Sequence, residues 1–296
     1  MLTSIMYTYS KKSLPKNAFE VIIDIKKALV KKEYESSFDK LLEGLEIEGF
    51  RKGKVPKKIG EKHIQKDDIY KDVIQSLIPR IYQEIIKKED LKPIINPKIE
   101  LTKAKEDEDW QIKLIVAVRP EVTLPDLKKI ASDVKGETKK EDIWVPGKEA
   151  KNEADENVKE RQKQKTLNAL LESLLKKTKV EIPDLLIEAE LEHRLSGLLD
   201  EIQKIGLTVD AYMKSKNTTM DELKARSKKE IEETYKVEFI LNEIADKQNL
   251  QVEQEDLDKI FQNIKDDKEK AAAKQNSYYY ASIIRKQKTL EYLLNL

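Results

Sequence analysis

A short basic stretch with one aromatic residue contains the residue types that point most directly to chemistry. Between Gly49 and Lys62 there is a single acid, Glu61. The cations of this stretch are Arg51, Lys52, Lys54, Lys57, Lys58 and Lys62. Arginine and lysine make charge-assisted hydrogen bonds to phosphates, which position a protein on RNA without reading its sequence. Phe50, within the same run, can anchor in a groove of a protein partner.

Two glycines give this stretch the conformational freedom of a loop. Gly49 and Gly53 flank the aromatic residue and the first two cations, and Pro56 follows them. Glycine adopts backbone conformations that other residues avoid, and it allows close approach of a partner. The stretch therefore predicts a protruding loop that binds phosphates and offers Phe50 to a pocket. The alternative is a lysine-rich loop that is only solvated, with Phe50 folded back into the core. The residue types alone leave both open.

The sequence offers little material for catalysis or for metal binding. It contains no cysteine, which excludes disulfides, thiolate nucleophiles and zinc–sulfur sites. The two histidines, His63 and His193, have neither metal-binding spacing nor an evident nucleophile partner. The acidic run at 106–109 lacks the pattern of a calcium loop, and no nucleotide-binding glycine motif occurs. We therefore predict no catalytic residue, no metal site and no cofactor.

The composition predicts a helix-rich protein with heavily solvated surfaces. Of the 296 residues, 38% are charged and 39% are hydrophobic. Charged residues make up about 25% of an ordinary globular protein, so this mixture favours long amphipathic helices. The net charge is only +1, so any affinity for nucleic acid must come from a local patch.

Membrane insertion and export are not expected. No segment reaches the ~18–20 continuous apolar residues of a membrane span. Residues 1–16 lack the apolar core of a signal peptide. We expect a cytoplasmic protein with no membrane partner.

The N-terminal part predicts mixed α and β structure. Residues 19–25 and 110–118 alternate between apolar and polar types, which predicts two strands. Pro93 and Pro97 restrict residues 93–101 to an edge strand or a strand start. Residues 1–16 carry only weak strand signals, so the first part of the sheet is expected to be reduced.

Two helices should accompany these strands. Apolar residues at helical spacing predict one helix from Tyr34 to Leu45 and another from Ile69 to Ile85. Pro79 falls inside the second helix and should bend or interrupt it.

From about Pro120 the sequence is predicted to be almost entirely helical. Residues 134–165 form a charge-rich bridge whose only aromatic residue, Trp144, is expected to make a packing contact. The helices beyond it are predicted at 167–176, 183–205, 209–214, 220–247, 254–264 and 276–294. Pro183 suits a first helical turn, and Gly206 suits a helix end.

The basic loop and the helical part both resemble the trigger factor family. The family's ribosome-binding signature, Gly-Phe-Arg-x-Gly-Lys between two helices, is matched by Gly49, Phe50, Arg51, Lys52, Gly53 and Lys54. The similarity continues through residues 70–74 and 120–122. Independently, residues 180–187, 206–212 and 240–245 resemble the family's helical C-terminal domain, in the expected order.

This resemblance implies an α+β N-terminal ribosome-binding domain followed by an elongated all-α domain of the SurA and trigger factor type. The expected boundaries are 1–120 for the first domain, 121–165 for a charged helical linker and 166–296 for a substrate-binding domain. Phe50, Arg51 and Lys52 would dock on a ribosomal protein and adjacent rRNA beside the peptide exit tunnel. Gly49, Gly53 and Lys54 would shape and support the loop.

The family usually carries an FKBP-type prolyl isomerase domain between these two parts. A domain needs at least ~50 residues and its own core, which residues 134–165 do not supply. We therefore predict that isomerase activity is absent, although the family is associated with it.

The resemblance implies an ATP-independent chaperone that shields nascent polypeptides on the ribosome. The three tyrosines Tyr278, Tyr279 and Tyr280 are a candidate client surface, because tyrosine gives contact area at little entropic cost. The alternative is that at least one of them faces the core. For the whole chain the main alternative is a ribosome- or RNA-binding assembly factor that holds no clients. The absent signal peptide and the intact basic loop argue against a periplasmic chaperone. A homodimer of the free chain remains an open alternative.

Overall fold

A computed structural model describes residues 6–141, 156–264 and 266–296 of the chain. Their contacts divide the chain into two compact units. The first comprises Met1–Arg119 and Pro183–Leu186, and the second comprises Pro120–Ile182 and Ile187–Leu296. The three-part domain scheme stays a prediction. Trp144, predicted to make a packing contact, lies outside the described residues.

The first unit contains a four-stranded antiparallel sheet. Its strands are β1 (Tyr7–Leu14), β2 (Ala18–Ile25), β3 (Lys98–Lys103) and β4 (Trp110–Ala117). The strand order is β1-β2-β4-β3, so β3 is an edge strand, as the two nearby prolines predicted. Alternate side chains of β4 are buried, from Trp110 to Val116, which confirms the predicted pattern of one buried and one more exposed face.

The predicted reduction of the first strand is wrong. β1 pairs with β2 along its whole length, from Tyr7 opposite Ile25 to Leu14 opposite Ala18. As an edge strand it has one solvated face, and only Tyr7 and Tyr9 pack against the core. Threonine, serine and lysine fill the other positions, so the apolar alternation that identifies a strand is too sparse to recognise.

The first unit also contains three helices. They are α1 (Lys27–Gly44), α2 (Lys57–His63) and α3 (Lys66–Lys88). The buried residues of α3 include the predicted i+4 series Ile69, Val73, Leu77, Ile81 and Ile85. Pro79 lies on the exposed side, and α3 continues through it without interruption.

A small second core holds α2 against α1. Its buried residues are Phe38, Leu42, Val55 and Ile69. A Cβ atom on Gly60 would lie only 2.3 Å from Cδ1 of Leu42. Glycine at this position therefore allows α2 to approach α1 closely.

The second unit is helical throughout its described residues. Its helices are α4 (Leu127–Glu141), α5 (Glu156–Lys177), α6 (Asp184–Lys204, whose first residues belong to the first unit), α7 (Val209–Ser215), α8 (Met220–Lys247), α9 (Gln254–Asn263), α10 (Asp267–Gln275) and α11 (Ser277–Asn295). Side chains of α4, α5, α8 and α11 form one core, represented by Ile130, Leu170, Ile244 and Leu293. The predicted fold class, an α+β part followed by an all-α part, is confirmed.

The helix ends follow from local sequence. Gly206 has a φ of 73°, and its N–H donates to Gln203 O at the end of α6, as predicted. Thr219 caps α8 in a reciprocal arrangement with Glu222. α10 was not predicted, because Ala273 is its only buried residue and it has no apolar periodicity. None of the described helices has the length and apolar composition that crossing a bilayer requires.

Candidate functional site

The predicted basic loop connects α1 to α2 through two consecutive turns. The N–H of Phe50 donates to Ile47 O at 3.1 Å, and the N–H of Lys54 donates to Arg51 O at 2.9 Å. Gly49 has a φ of 91° and Gly53 a φ of 74°, values that favour glycine. The sequence therefore places glycine at the two points where the backbone reverses.

The loop presents its side chains to solvent. Phe50 is 40% exposed, and Arg51, Lys52 and Lys54 are exposed as well. The alternative in which Phe50 folds into the core is not realised. The next residue, Val55, is instead the one that enters the small core around Phe38. The loop is thus fixed at its C-terminal end while its tip remains accessible.

Ion pairs divide the cations of the loop into two groups. Lys52 Nζ lies 2.7 Å from Glu46 Oε1, and this contact lowers the pKa of the Glu46 carboxyl group. Lys57 Nζ lies 2.6 Å from Asp39 Oδ1. Within the part of the chain that the structure describes, no carboxylate comes within 4.0 Å of the charged groups of Arg51 or Lys54. Because these exposed pairs are weak, Lys52 can also exchange Glu46 for a phosphate.

The three tyrosines do not share one environment. Tyr278 is 88% exposed and Tyr279 is 62% exposed, at the start of α11. Tyr280 packs edge-on against Phe261 with 5.7 Å between the ring centres. The structure therefore brings two of the three to the surface of the second unit and uses the third for packing.

The histidines and the acidic run form no site in the described residues. His63 ends α2, His193 lies on an exposed position of α6, and no group of three or more metal-binding side chains is assembled in the described ranges. The carboxylates of the acidic run instead form ion pairs with lysines, at 2.7 Å for Glu106–Lys66, 3.0 Å for Asp107–Lys27 and 2.9 Å for Asp109–Lys26. Asp109 also accepts the backbone N–H of Lys27, which is the largest cause of the lowered pKa of its carboxyl group.

Sequence analysis missed two residues that support the loop. Gly60 lets α2 pack on α1, and a glycine in the middle of a seven-residue helix was the available signal. Glu46 pairs with Lys52 across the turn, a contact that only the folded loop creates.

Two family models match the chain on either side of a short gap. The model described as "Bacterial trigger factor protein (TF)" matches residues 6–144, and the model described as "Bacterial trigger factor protein (TF) C-terminus" matches residues 148–295. The chain belongs to the bacterial trigger factor family. The signature loop lies within the first trigger factor match, and the three tyrosines lie within the second.

Individual trigger factors align with less than half of this chain. A trigger factor from Natranaerobius thermophilus is 30% identical over 140 residues, which are 47% of this chain and 30% of that protein. A trigger factor from Staphylococcus aureus is 34% identical over 121 residues, which are 41% of this chain and 28% of that protein. The matched part thus spans less than a third of these relatives.

A solved structure extends the similarity of fold to nearly the whole chain. It belongs to work on promiscuous substrate recognition in folding and assembly activities of the trigger factor chaperone. The TM-score is 0.64 over 97% of this chain and 99% of that one, at 16% sequence identity. The two chains therefore share the trigger factor fold.

Proposed function

We propose that this chain is an ATP-independent chaperone of the cytoplasm that docks on the ribosome near the peptide exit tunnel and shields nascent polypeptides. The observation that carries this proposal is the loop between α1 and α2. It holds the trigger factor signature in two glycine-dependent turns, and it exposes Phe50 beside cations that remain available for phosphates.

Docking is proposed to combine two kinds of contact. Phe50 would bury its ring in a pocket of a ribosomal protein, where an aromatic anchor often dominates the binding energy. Arg51, Lys52 and Lys54 would contact phosphates of the adjacent rRNA. Because phosphate contacts release counterions, the affinity should fall as the salt concentration rises.

Co-sedimentation with ribosomes at several salt concentrations tests this proposal. The variant Phe50→Ala/Arg51→Ala/Lys52→Ala should bind at least about tenfold more weakly than the native chain, because it loses the aromatic anchor and two cations. Native binding should weaken steadily with added salt.

A matched control removes the same number of charges and one exposed apolar side chain elsewhere in the first unit. Lys87→Ala/Lys92→Ala/Ile94→Ala changes exposed residues near the other end of α3, roughly 30 Å along that helix. This control should bind as the native chain does. Equal loss of binding in both variants would show a nonspecific charge effect and would contradict docking through the loop.

The second unit is proposed to hold unfolded clients. Tyr278 and Tyr279 supply exposed aromatic area at the start of α11, and Ile283, 41% exposed, lies further along the same helix. A chaperone that works without ATP needs such patches, because it binds unfolded segments weakly and reversibly. Tyr280 is proposed to support this surface from its contact with Phe261.

Suppression of aggregation separates the chaperone from an assembly factor that only binds RNA. The native chain should keep a chemically unfolded client soluble, and Tyr278→Ser/Tyr279→Ser should do so less well. The control Ile99→Ser/Leu101→Ser removes two exposed apolar side chains from β3 in the first unit. No suppression by the native chain would favour the assembly factor instead.

We further infer that the chain has no prolyl isomerase activity. The two family matches leave only residues 145–147 between them, which is far below the ~50 residues that a domain needs. A refolding reaction limited by proline isomerisation should therefore run at its uncatalysed rate when the chain is added. Faster refolding at catalytic concentrations would contradict this inference.

A further inference from the structure

A groove in the first unit lies beside α2, on a different side of this helix from the loop's remaining cations. Its volume is about 540 Å³, within the ~300–1,000 Å³ typical of ligand pockets. The floor is apolar and is made by Tyr34, Phe38, Ile64 and Ile69. This space is large enough for one bulky side chain of a bound peptide together with part of its backbone.

The rim of the groove carries a negative charge. Two of its four carboxylates are engaged by lysines on the rim itself, Asp39 by Lys57 and Glu106 by Lys66. The other two belong to Glu35 and Glu61, which are exposed. Among the described residues, no cation lies within 4.0 Å of either carboxylate. The groove therefore has a formal charge of −2 and two carboxylates ready to accept hydrogen bonds.

The helical period of α2 separates this groove from a basic surface. Lys57, Glu61 and Ile64 follow each other at i, i+4 and i+7 and line the groove. Lys58 and Lys62 are exposed and lie outside the lining. At 3.6 residues per turn, these two lysines point about 100–140° away from the groove. One short helix thus carries surfaces of opposite charge on two of its sides.

We infer that this groove binds unfolded client segments in which one large apolar side chain is flanked by lysine or arginine. The apolar floor takes the large side chain, and Glu35 and Glu61 take the flanking cations through charge-assisted hydrogen bonds. The negative rim repels RNA, so the groove stays free when the neighbouring loop contacts rRNA. This inference rests on the proposed function, because it names a class of client for the docked chain and a binding place in the unit that docks.

Fluorescence anisotropy with two synthetic peptides tests the inference without ribosomes. Both peptides contain Phe-Leu in a glycine–serine background, with two lysines on either side in one peptide and two glutamates in the other. The native chain should bind the basic peptide at least about tenfold more tightly than the acidic one, and added salt should reduce this difference. Equal binding of both peptides would overturn the inference.

The variant Glu35→Gln/Glu61→Gln locates the site. It keeps the size of both side chains but removes their charges, so it should bind the basic peptide about tenfold more weakly. The control Glu43→Gln/Glu48→Gln neutralises two exposed carboxylates outside the groove and should bind as the native chain does. Unchanged affinity of the Glu35/Glu61 variant would overturn the inference.

Two further measurements make each outcome decisive. A photoreactive version of the basic peptide should cross-link within residues 34–39 or 61–69 of the native chain, and exclusive cross-linking to the second unit would overturn the inference. The Glu35/Glu61 variant should still co-sediment with ribosomes, because it retains the signature loop. A chain that binds the peptide here but never binds ribosomes would contradict the docking proposal and leave the peptide site intact.

Discussion

At the scale of single residues, the signature loop assigns different tasks to neighbouring side chains. Gly49 and Gly53 allow the two turns, and Val55 attaches the loop to a core. Phe50 and Arg51 are left exposed at the tip. A substitution at a glycine should therefore disturb loop shape, whereas a substitution at Phe50 or Arg51 should remove a contact and leave the fold intact.

Tyr7 provides a test of the packing of the first strand at high pH. Its hydroxyl donates to Glu84 at 2.9 Å, and burial, followed by this hydrogen bond, raises the pKa of Tyr7 to about 12. In the unfolded chain the pKa is about 10. The neutral phenol is thus favoured by folding, so its contribution to stability is fully present below pH 10 and is lost as the pH rises towards 12.

We expect the stability advantage of the native chain over Tyr7→Phe to decrease between pH 10 and pH 12. Urea unfolding can be followed by the fluorescence of Trp110, which is buried in the first unit, in a Trp144→Phe background. Measurements at pH 8 and at pH 11 compare the two chains directly. A difference that does not change with pH would contradict the buried, hydrogen-bonded state of Tyr7.

The sequence predicted the residue types of the loop but not which of its cations are engaged. The glycines, Phe50 and the basic run are visible as letters. The pairing of Lys52 with Glu46 depends on the turn between them, and that of Lys57 with Asp39 depends on the packing of α2 on α1. The groove was missed for the same reason, since Glu35 and Glu61 are far apart in sequence and meet only in the fold.

At the scale of secondary-structure elements, the packing of α2 on α1 links the loop to the groove. α2 follows the loop directly, and its residues form one wall of the groove. The close approach at Gly60 fixes where this short helix sits. A change in this contact should therefore affect both surfaces together.

We expect Gly60→Ala to destabilise the first unit by about 1–3 kcal/mol, because the added Cβ would overlap Cδ1 of Leu42 in a packed core. Gly44→Ala is the matched control, since a Cβ there has no heavy atom within 4 Å. This control should be neutral or stabilise the unit by about 0.5 kcal/mol. Urea unfolding with the Trp110 signal measures both, and equal effects would contradict the close packing of α2.

Elements with strong periodicity were predictable from the sequence, and elements without it were not. α3 and β4 bury apolar residues at the helical and strand spacings that identified them. β1 packs through two tyrosines separated by polar residues, and α10 buries a single alanine. Their structure depends on neighbouring elements, so the local sequence does not specify it.

At the scale of the whole molecule, the proposal divides one task between two units. The first unit carries the docking loop, and the second carries exposed tyrosines on an all-helical framework. Docking would keep the client-binding surfaces at a high effective concentration near emerging chains, so weak binding of each segment suffices. The two activities should then be separable, because they depend on residues in different units.

Synthesis of an aggregation-prone protein on ribosomes tests this central claim most directly. The native chain and the Lys87/Lys92/Ile94 control should keep the nascent product soluble at low concentration. The Phe50/Arg51/Lys52 variant should need a much higher concentration, because it lacks the local enrichment that docking provides. All three should suppress aggregation of an already released, unfolded client equally. A docking variant that protects nascent product as well as the native chain, at the same concentration, would contradict a chaperone that acts from the ribosome.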